Sequence, residues 1–333
     1  MEYVEPQKVK LSHIFNEMRE IQQHFLKEHS VNDIWSNSKI FEVVQANTLG
    51  HMMIPGHSGT LDAKDEMGRQ FEYKHFKETS SNHSWTFNDY SDTTILKLRD
   101  SVFAVIFAHI DDTVYPPVMD WSYSVPGPVV ADYLEKFTKG MTNARRMINI
   151  SANQLNQRTN SKIVVHDQNH ASSLYSEELD RIFALILELE KIVDVKNILT
   201  SNKFWEVLVS LPLGHTVNSE QGGRAGAHDA FDSEGGDYEY KVSSSKSWNF
   251  QDISPADLKK YLNCEEIVLA IVDKTGIEVK DVWYANPAKV VARLEEKLSS
   301  KARSYAARGK EVRRQQVSIS SGDLALINAR KVI

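Results

Sequence analysis

Two short stretches of the chain carry an acid, a second acid and a lysine in the same order and at the same spacing. Asp62, Glu72 and Lys74 lie in DAKDEMGRQFEYK, and Asp229, Glu239 and Lys241 lie in DAFDSEGGDYEYK, a gapless match identical at seven of thirteen positions. In an extended strand alternate side chains share a face, so Glu72 and Lys74 point one way and Tyr73 the other; Glu239, Lys241 and Tyr240 repeat the arrangement. Between the two acids stand Asp65 and Gly68, or Asp232 and Gly235, the composition of a tight turn. Folding back through it brings Asp62 or Asp229 to the Glu–Lys pair. Two carboxylates converging at one spot repel unless a cation lies between them, and hard divalent ions such as Mg2+ prefer oxygen ligands. The lysine can then acidify a metal-bound water or stabilise charge on a phosphate while that water attacks.

The elements that position these residues are repeated as well. VNDIWSNSKIFEVVQANTLGH (31–51) matches VKNILTSNKFWEVLVSLPLGH (195–215), SWTFNDYS (84–91) matches SWNFQDIS (247–254), and SYSVPGPVVADYLEKF (122–137) matches WYANPAKVVARLEEKL (283–298). The offset stays between 161 and 167 residues, which implies two domains, 1–165 and 166–333, and not an array of short repeats. Apolar residues at three- and four-residue spacing predict an opening helix in IFNEMREIQQHFLKEH and in EELDRIFALILELEKIV. A shorter helix carries Glu42 or Glu206. The hairpin follows, then the buried strands SVFAVIFAHI and EEIVLAIVDK, a further strand ending at Pro126 or Pro287, and a closing helix. The fold class is therefore α/β, a mixed central sheet flanked by helices, built twice.

The Asp-x(n)-Glu-x-Lys pattern resembles the PD-(D/E)XK nuclease superfamily, and its wording is similar to type II restriction endonucleases over about 110 residues of each half. The resemblance implies two restriction-endonuclease-like α/β/α domains, catalytic residues Asp62, Glu72, Lys74, Asp229, Glu239 and Lys241, and Mg2+ held by the acids. Glu42 and Glu206 match the place where many members carry an additional acid near the metal. The family's proline before the first Asp is replaced by Leu61 and His228. Breaking a duplex needs one site per strand, so the implied protein is a pseudosymmetric monomer that makes double-strand breaks in double-stranded DNA at a defined sequence. A companion DNA methyltransferase is implied by family alone. Two alternatives stay open: a repair or recombination nuclease that reads DNA structure, and a noncatalytic DNA-binding protein.

Other positions are expected to bind or to support. Ser243 and Ser244, after the second lysine, are small hydroxyl residues suited to phosphate contact, which makes the second site the more typical. Arg224, Arg145, Arg303, Arg313 and Arg314 are candidate DNA contacts, and the diverging segments 57–60, 221–227, 138–175 and 299–333 are candidates for base reading. His51 and His215 either approach a phosphate or are structural. Trp85, Trp248, Phe87 and Phe250 are expected in the core, and Asp89 and Asp252 are expected to cap or orient the next helix. A net charge of −6 argues against nonspecific coating of nucleic acid but leaves room for a local basic cleft. No apolar run reaches the length of a membrane helix, and the single cysteine, Cys264, cannot form an internal disulfide; both fit a cytoplasmic protein.

Overall fold

A computed structural model describes residues 3–36, 39–55, 61–141, 146–159, 162–166, 174–200, 202–219, 228–251, 253–309 and 315–333. The first copy contains α1 (Glu5–His29), α2 (Lys39–Leu49), β1 (Met52–Met53), β2 (Ala63–Lys64), β3 (Gln70–Lys77), β4 (Trp85–Tyr90), α3 (Asp92–Ser101), β5 (Ala104–Asp111), β6 (Val118–Pro126), α4 (Gly127–Thr138), β7 (Arg146–Ile150), α5 (Ala152–Thr159) and β8 (Ile163–Val165). The second contains α6 (Ser176–Val193), α7 (Lys203–Leu213), β9 (Thr216–Val217), β10 (Ala230–Phe231), β11 (Asp237–Ser243), β12 (Ser247–Phe250), α8 (Pro255–Leu262), β13 (Glu266–Asp273), β14 (Glu278–Ala285), α9 (Pro287–Ala306), β15 (Val317–Ser320) and β16 (Arg330–Lys331). Among the described residues no helix is long and apolar enough to cross a membrane.

Each copy forms a six-stranded mixed sheet of the same order, β1-β2-β3-β5-β6-β8 and β9-β10-β11-β13-β14-β16 in the second case running from the other edge. The strand bearing the Glu–Lys pair runs parallel to the next, β3 beside β5 and β11 beside β13, and all other neighbours are antiparallel. A parallel pair needs a crossover, and β4 with α3, or β12 with α8, supplies it. Trp85 and Trp248 are fully buried beneath that crossover, and each satisfies its indole N–H on a strand carbonyl, Ala108 O at 2.8 Å and Ala270 O at 2.9 Å. With Phe87 and Phe250 they form the core, as their alternation predicts.

Three sequence-based expectations need correction. The helices after the Ser-Trp strands are capped by Ser91 and Ser254, not by Asp89 or Asp252. Each serine hydroxyl accepts from the backbone N–H three residues on, and the side chain at that third position, Thr94 or Asp257, bonds back to the serine N–H in a capping box. Asp252 and the side chain of Asp89 lie outside the described residues. The segments 138–175 and 299–333 are not simply divergent: β7 and β15 pair with β4 and β12 in the same register, Trp85 opposite Ile150 and Trp248 opposite Ile319. Finally, the chain does not divide at residue 165. Its two compact units are Ile21–Leu185, and Met1–Glu20 together with Ile186–Ile333.

Both opening helices are thus shared between units. Tyr3, just before α1, belongs to the unit of the second sheet, where its hydroxyl accepts from Val217 N at 3.3 Å; Tyr175, just before α6, accepts from Met53 N at 2.9 Å beside the first sheet. One tyrosine thereby ties down the short edge strand of each hairpin. A two-residue strand has few ladder bonds of its own, so such an anchor on its free N–H supplies what the ladder lacks.

Candidate active site

The hairpin turns are built as their composition predicts. Asp65 Oδ1 accepts from Met67 N and Arg69 N, and Asp232 Oδ1 accepts from Glu234 N and Gly236 N. Gly68 and Gly235 close the turns at φ of 75° and 87°, a left-handed conformation in which a side chain is strained. Asp65 and Asp232 are therefore turn residues. Past the turn, the backbone N–H of Asp62 bonds Phe71 O at 2.9 Å and that of Asp229 bonds Tyr238 O at 3.0 Å, which seats each aspartate opposite its Glu–Lys pair.

The three predicted residues come together in both halves. Asp62 Oδ2 accepts from Tyr73 N at 2.8 Å, and Asp229 Oδ2 accepts from Tyr240 N at 2.9 Å. Lys74 donates to Glu72 Oε1, and Lys241 donates to Glu239 Oε1 at 2.7 Å. Glu42 and Glu206, from α2 and α7, join the same sites. On the far face of the strand, Tyr73 OH lies 2.8 Å from His51 Nδ1 and Tyr240 OH lies 2.8 Å from His215 Nδ1. Those histidines brace the sheet from behind and take no part in the acid cluster.

Three further ammonium groups belong to the sites and are absent from the sequence-based expectation. Lys39 pairs with Glu42 and lies 3.7 Å from Asp62 Oδ1; Lys203 lies 2.7 Å from Glu206 Oε2 and 3.4 Å from Asp229 Oδ1. These lysines stand one helical turn before the glutamates, a K-x-x-E pattern present in both copies and readable from the repeat. The third has no such signal. Lys260, on α8, lies 3.0 Å from Glu239 Oε2, and His228 Nδ1 is 3.9 Å from the same oxygen. The aligned positions in the first half are Lys97, exposed on α3, and Leu61.

This difference sets opposite electrostatics. Burial pushes Glu72 up to about 7, with Asp62 adding to the rise and Lys74 opposing it. Glu42 is pushed up to about 8 and Glu206 to about 7, again by burial first and by the neighbouring aspartate second. Burial also works to raise Glu239, but Lys241, His228 and Lys260 outweigh it and hold its carboxyl far below the usual range. Lys74 and Lys241 are partly buried, which disfavours their charge, yet the facing carboxylates hold both above the ordinary lysine value.

The donor set suits a hard divalent cation. Every acid ligand is an oxygen, and Glu72 Oε2 is buried with no hydrogen-bond partner, an acceptor left for a cation to satisfy. Around the second site opens a cleft of 510 Å³, lined by Lys241, Ser243, Asn249, Gln251, Lys260 and Tyr261 among others. Ser243 is thus placed at the site. Ser244 is exposed and Arg303 is exposed on α9, and neither lines the cleft. Arg145, Arg224, Arg313 and Arg314 lie outside the described residues, as do 57–60 and 221–227.

No family model matches the chain, and no curated protein matches it in sequence, so its function is read from its own geometry.

Proposed function

We propose that the chain is a metal-dependent endodeoxyribonuclease of the restriction type, a pseudosymmetric monomer with one phosphodiester-hydrolysing site in each half. The observation that carries this reading is the repetition of one constellation, Asp, Glu and Lys joined by the same hydrogen bonds, on two equivalent hairpins whose surrounding residues have diverged. A surface charge ladder has no need of the same buried acids and the same aspartate bond twice.

Asp62 and Glu72, with Glu42, would hold Mg2+ in the first half; Asp229 and Glu239, with Glu206, would hold it in the second. A divalent ion bound there supplies an acidified water and neutralises charge on the phosphate. The protein's own share follows from the contacts. Asp62 and Asp229 are aimed by the strand N–H groups of Tyr73 and Tyr240. Lys74 and Lys241, kept charged by their carboxylates, present an ammonium to the phosphate as negative charge builds on its oxygens. Lys39 and Lys203 hold each Glu–Asp pair together against its own repulsion. Ser243 and the polar cleft wall offer donors to the DNA backbone. Breaking both strands needs both halves, because one hydrolysis cuts one strand.

The test is incubation of supercoiled plasmid and phage DNA with the protein and Mg2+, beside Lys74→Ala, Lys241→Ala and the double variant. Wild type yields discrete linear fragments. Each single variant yields nicked circles, its altered half slowed on the order of 10²–10³-fold, and the double variant yields neither. Cleavage of branched DNA without a common sequence would replace the restriction reading by the structure-specific one. DNA binding that survives Asp62→Ala with Asp229→Ala, and no cleavage by wild type, would leave a binding protein.

A further inference from the structure

We propose that His24, His29 and Glu178 form a separate site for a transition-metal ion of the zinc type, remote in composition from the all-oxygen sites on the hairpins. All three residues belong to the unit Ile21–Leu185, and among the described residues they are the one group of three His, Cys, Asp or Glu whose donor atoms all lie within 4.8 Å of one another. His24 Nε2 is already 3.0 Å from Glu178 Oε1. Two imidazoles and a carboxylate are the donor set that favours zinc over magnesium, and three protein ligands leave the fourth position for water.

The site is built rather than assembled from loose surface chains. His29 is the last residue of α1, and Ser30 turns the chain away from the helix at φ 57°. The His29 ring packs edge-on against Tyr175 at 4.9 Å between centroids and leans on Phe25 at 5.5 Å. Tyr175 is itself fixed by its hydroxyl on Met53 N and by its own N–H on Asn47 Oδ1 at 2.8 Å. Glu178 stands in the first turn of α6, so a bound ion would fasten the end of one helix to the start of the other. In the second copy the positions aligned with the two histidines are Glu188 and Val193. The duplicated scaffold therefore stands without this trio.

Co2+ titrated into the full chain, with Mg2+ in excess to occupy the hairpin acids, reads the site through its ligand-field absorption. Wild type is expected to develop the strong band of a low-coordinate nitrogen and oxygen site that saturates at one ion per chain. His24→Ala and Glu178→Gln, both at exposed or half-buried positions, are expected to bind on the order of 100-fold more weakly, one ligand's share of the binding energy. His13→Ala is the control: His13 also pairs with a glutamate, Glu17 at 3.0 Å, but has no second histidine, and its loss is expected to change nothing. Zn2+ should likewise raise the melting temperature of wild type and not of His24→Ala. Absence of a saturating band in wild type, or an unchanged titration for His24→Ala, would overturn the proposal. Either result leaves the nuclease reading untouched, since that rests on other residues.

Discussion

The first half sets three carboxylates, Glu42, Asp62 and Glu72, against two ammonium groups, Lys39 and Lys74; the second sets Glu206, Asp229 and Glu239 against three, Lys203, Lys241 and Lys260. The backbone around the two clusters is the same, down to the bond from Tyr73 or Tyr240 to the aspartate. Two side chains make the difference, and one of them is His228, which stands where the first half has Leu61. Lys260 turns into the site from α8, while Lys97 at the aligned place on α3 stays exposed. Oε2 of Glu72 and of Glu239 are both buried without a hydrogen bond, but the first site has one ammonium fewer, whereas Glu239 is ion-paired through Oε1 with Lys241 and through Oε2 with Lys260. A duplicated scaffold can thus hold geometry constant while substitutions at two adjoining positions retune the chemistry.

If the scaffolds are equal, equal damage must cost them equally. Trp85→Ala and Trp248→Ala each empty a fully buried site and strand a strand carbonyl, and each is expected to destabilise its own unit by about 3–5 kcal/mol. Denaturant melts of the two variants check this, and a large loss from only one would break the equivalence of the halves.

If the sites are unequal, removing the odd lysine should bring them together. Wild type is expected to bind Mn2+ more tightly in the first half than in the second. Lys260→Met should strengthen binding in the second half by about tenfold, a Coulomb effect reduced by the open cleft. Calorimetric titration would show two classes of site in wild type collapsing toward one in the variant. Two equal classes in wild type would remove the contrast.

A smaller effect separates the halves by sign. In the metal-free protein Glu72, raised to about 7, keeps its proton over a range where the unfolded chain has lost it, so its contribution falls as pH rises from about 4.5 toward 7. Glu239 is depressed, so its stabilisation is complete above the unfolded value and is lost as pH falls through its lowered one. Melting temperatures across pH should therefore flatten on the neutral side with Glu72→Gln and on the acid side with Glu239→Gln. The same slope change from both variants would contradict the opposed electrostatics.

Which of these features could be read from the sequence follows from how local each one is. The turn at Asp65 and Gly68, the shared face of Glu72 and Lys74 and the buried Trp85 are set by neighbours a few residues apart, and the structure has them where periodicity puts them. Lys39 and Lys203 were within reach too, one turn before repeated glutamates. The β7 and β15 strands keep only a short alternation, INIS (148–151) against VSIS (317–320), too little to stand out within diverged segments. Lys260 was out of reach, because whether a helix lysine turns inward depends on the packing of α8 over β11 and not on its own neighbours. The shared helices also hide from pattern reading: α1 has 25 residues and α6 has 18, a difference of about two turns that slides Tyr3 and Tyr175 out of the common offset.

Strand assignment is the most direct test of one hydrolytic site per half. A duplex fragment with a mapped cleavage position, each strand labelled separately, is cut in single turnover with Mg2+ by Lys74→Ala and by Lys241→Ala. Each variant is expected to leave one strand intact, and the two variants are expected to spare opposite strands. Loss of both cuts from either single variant, or sparing of the same strand by both, would contradict one hydrolytic site per half.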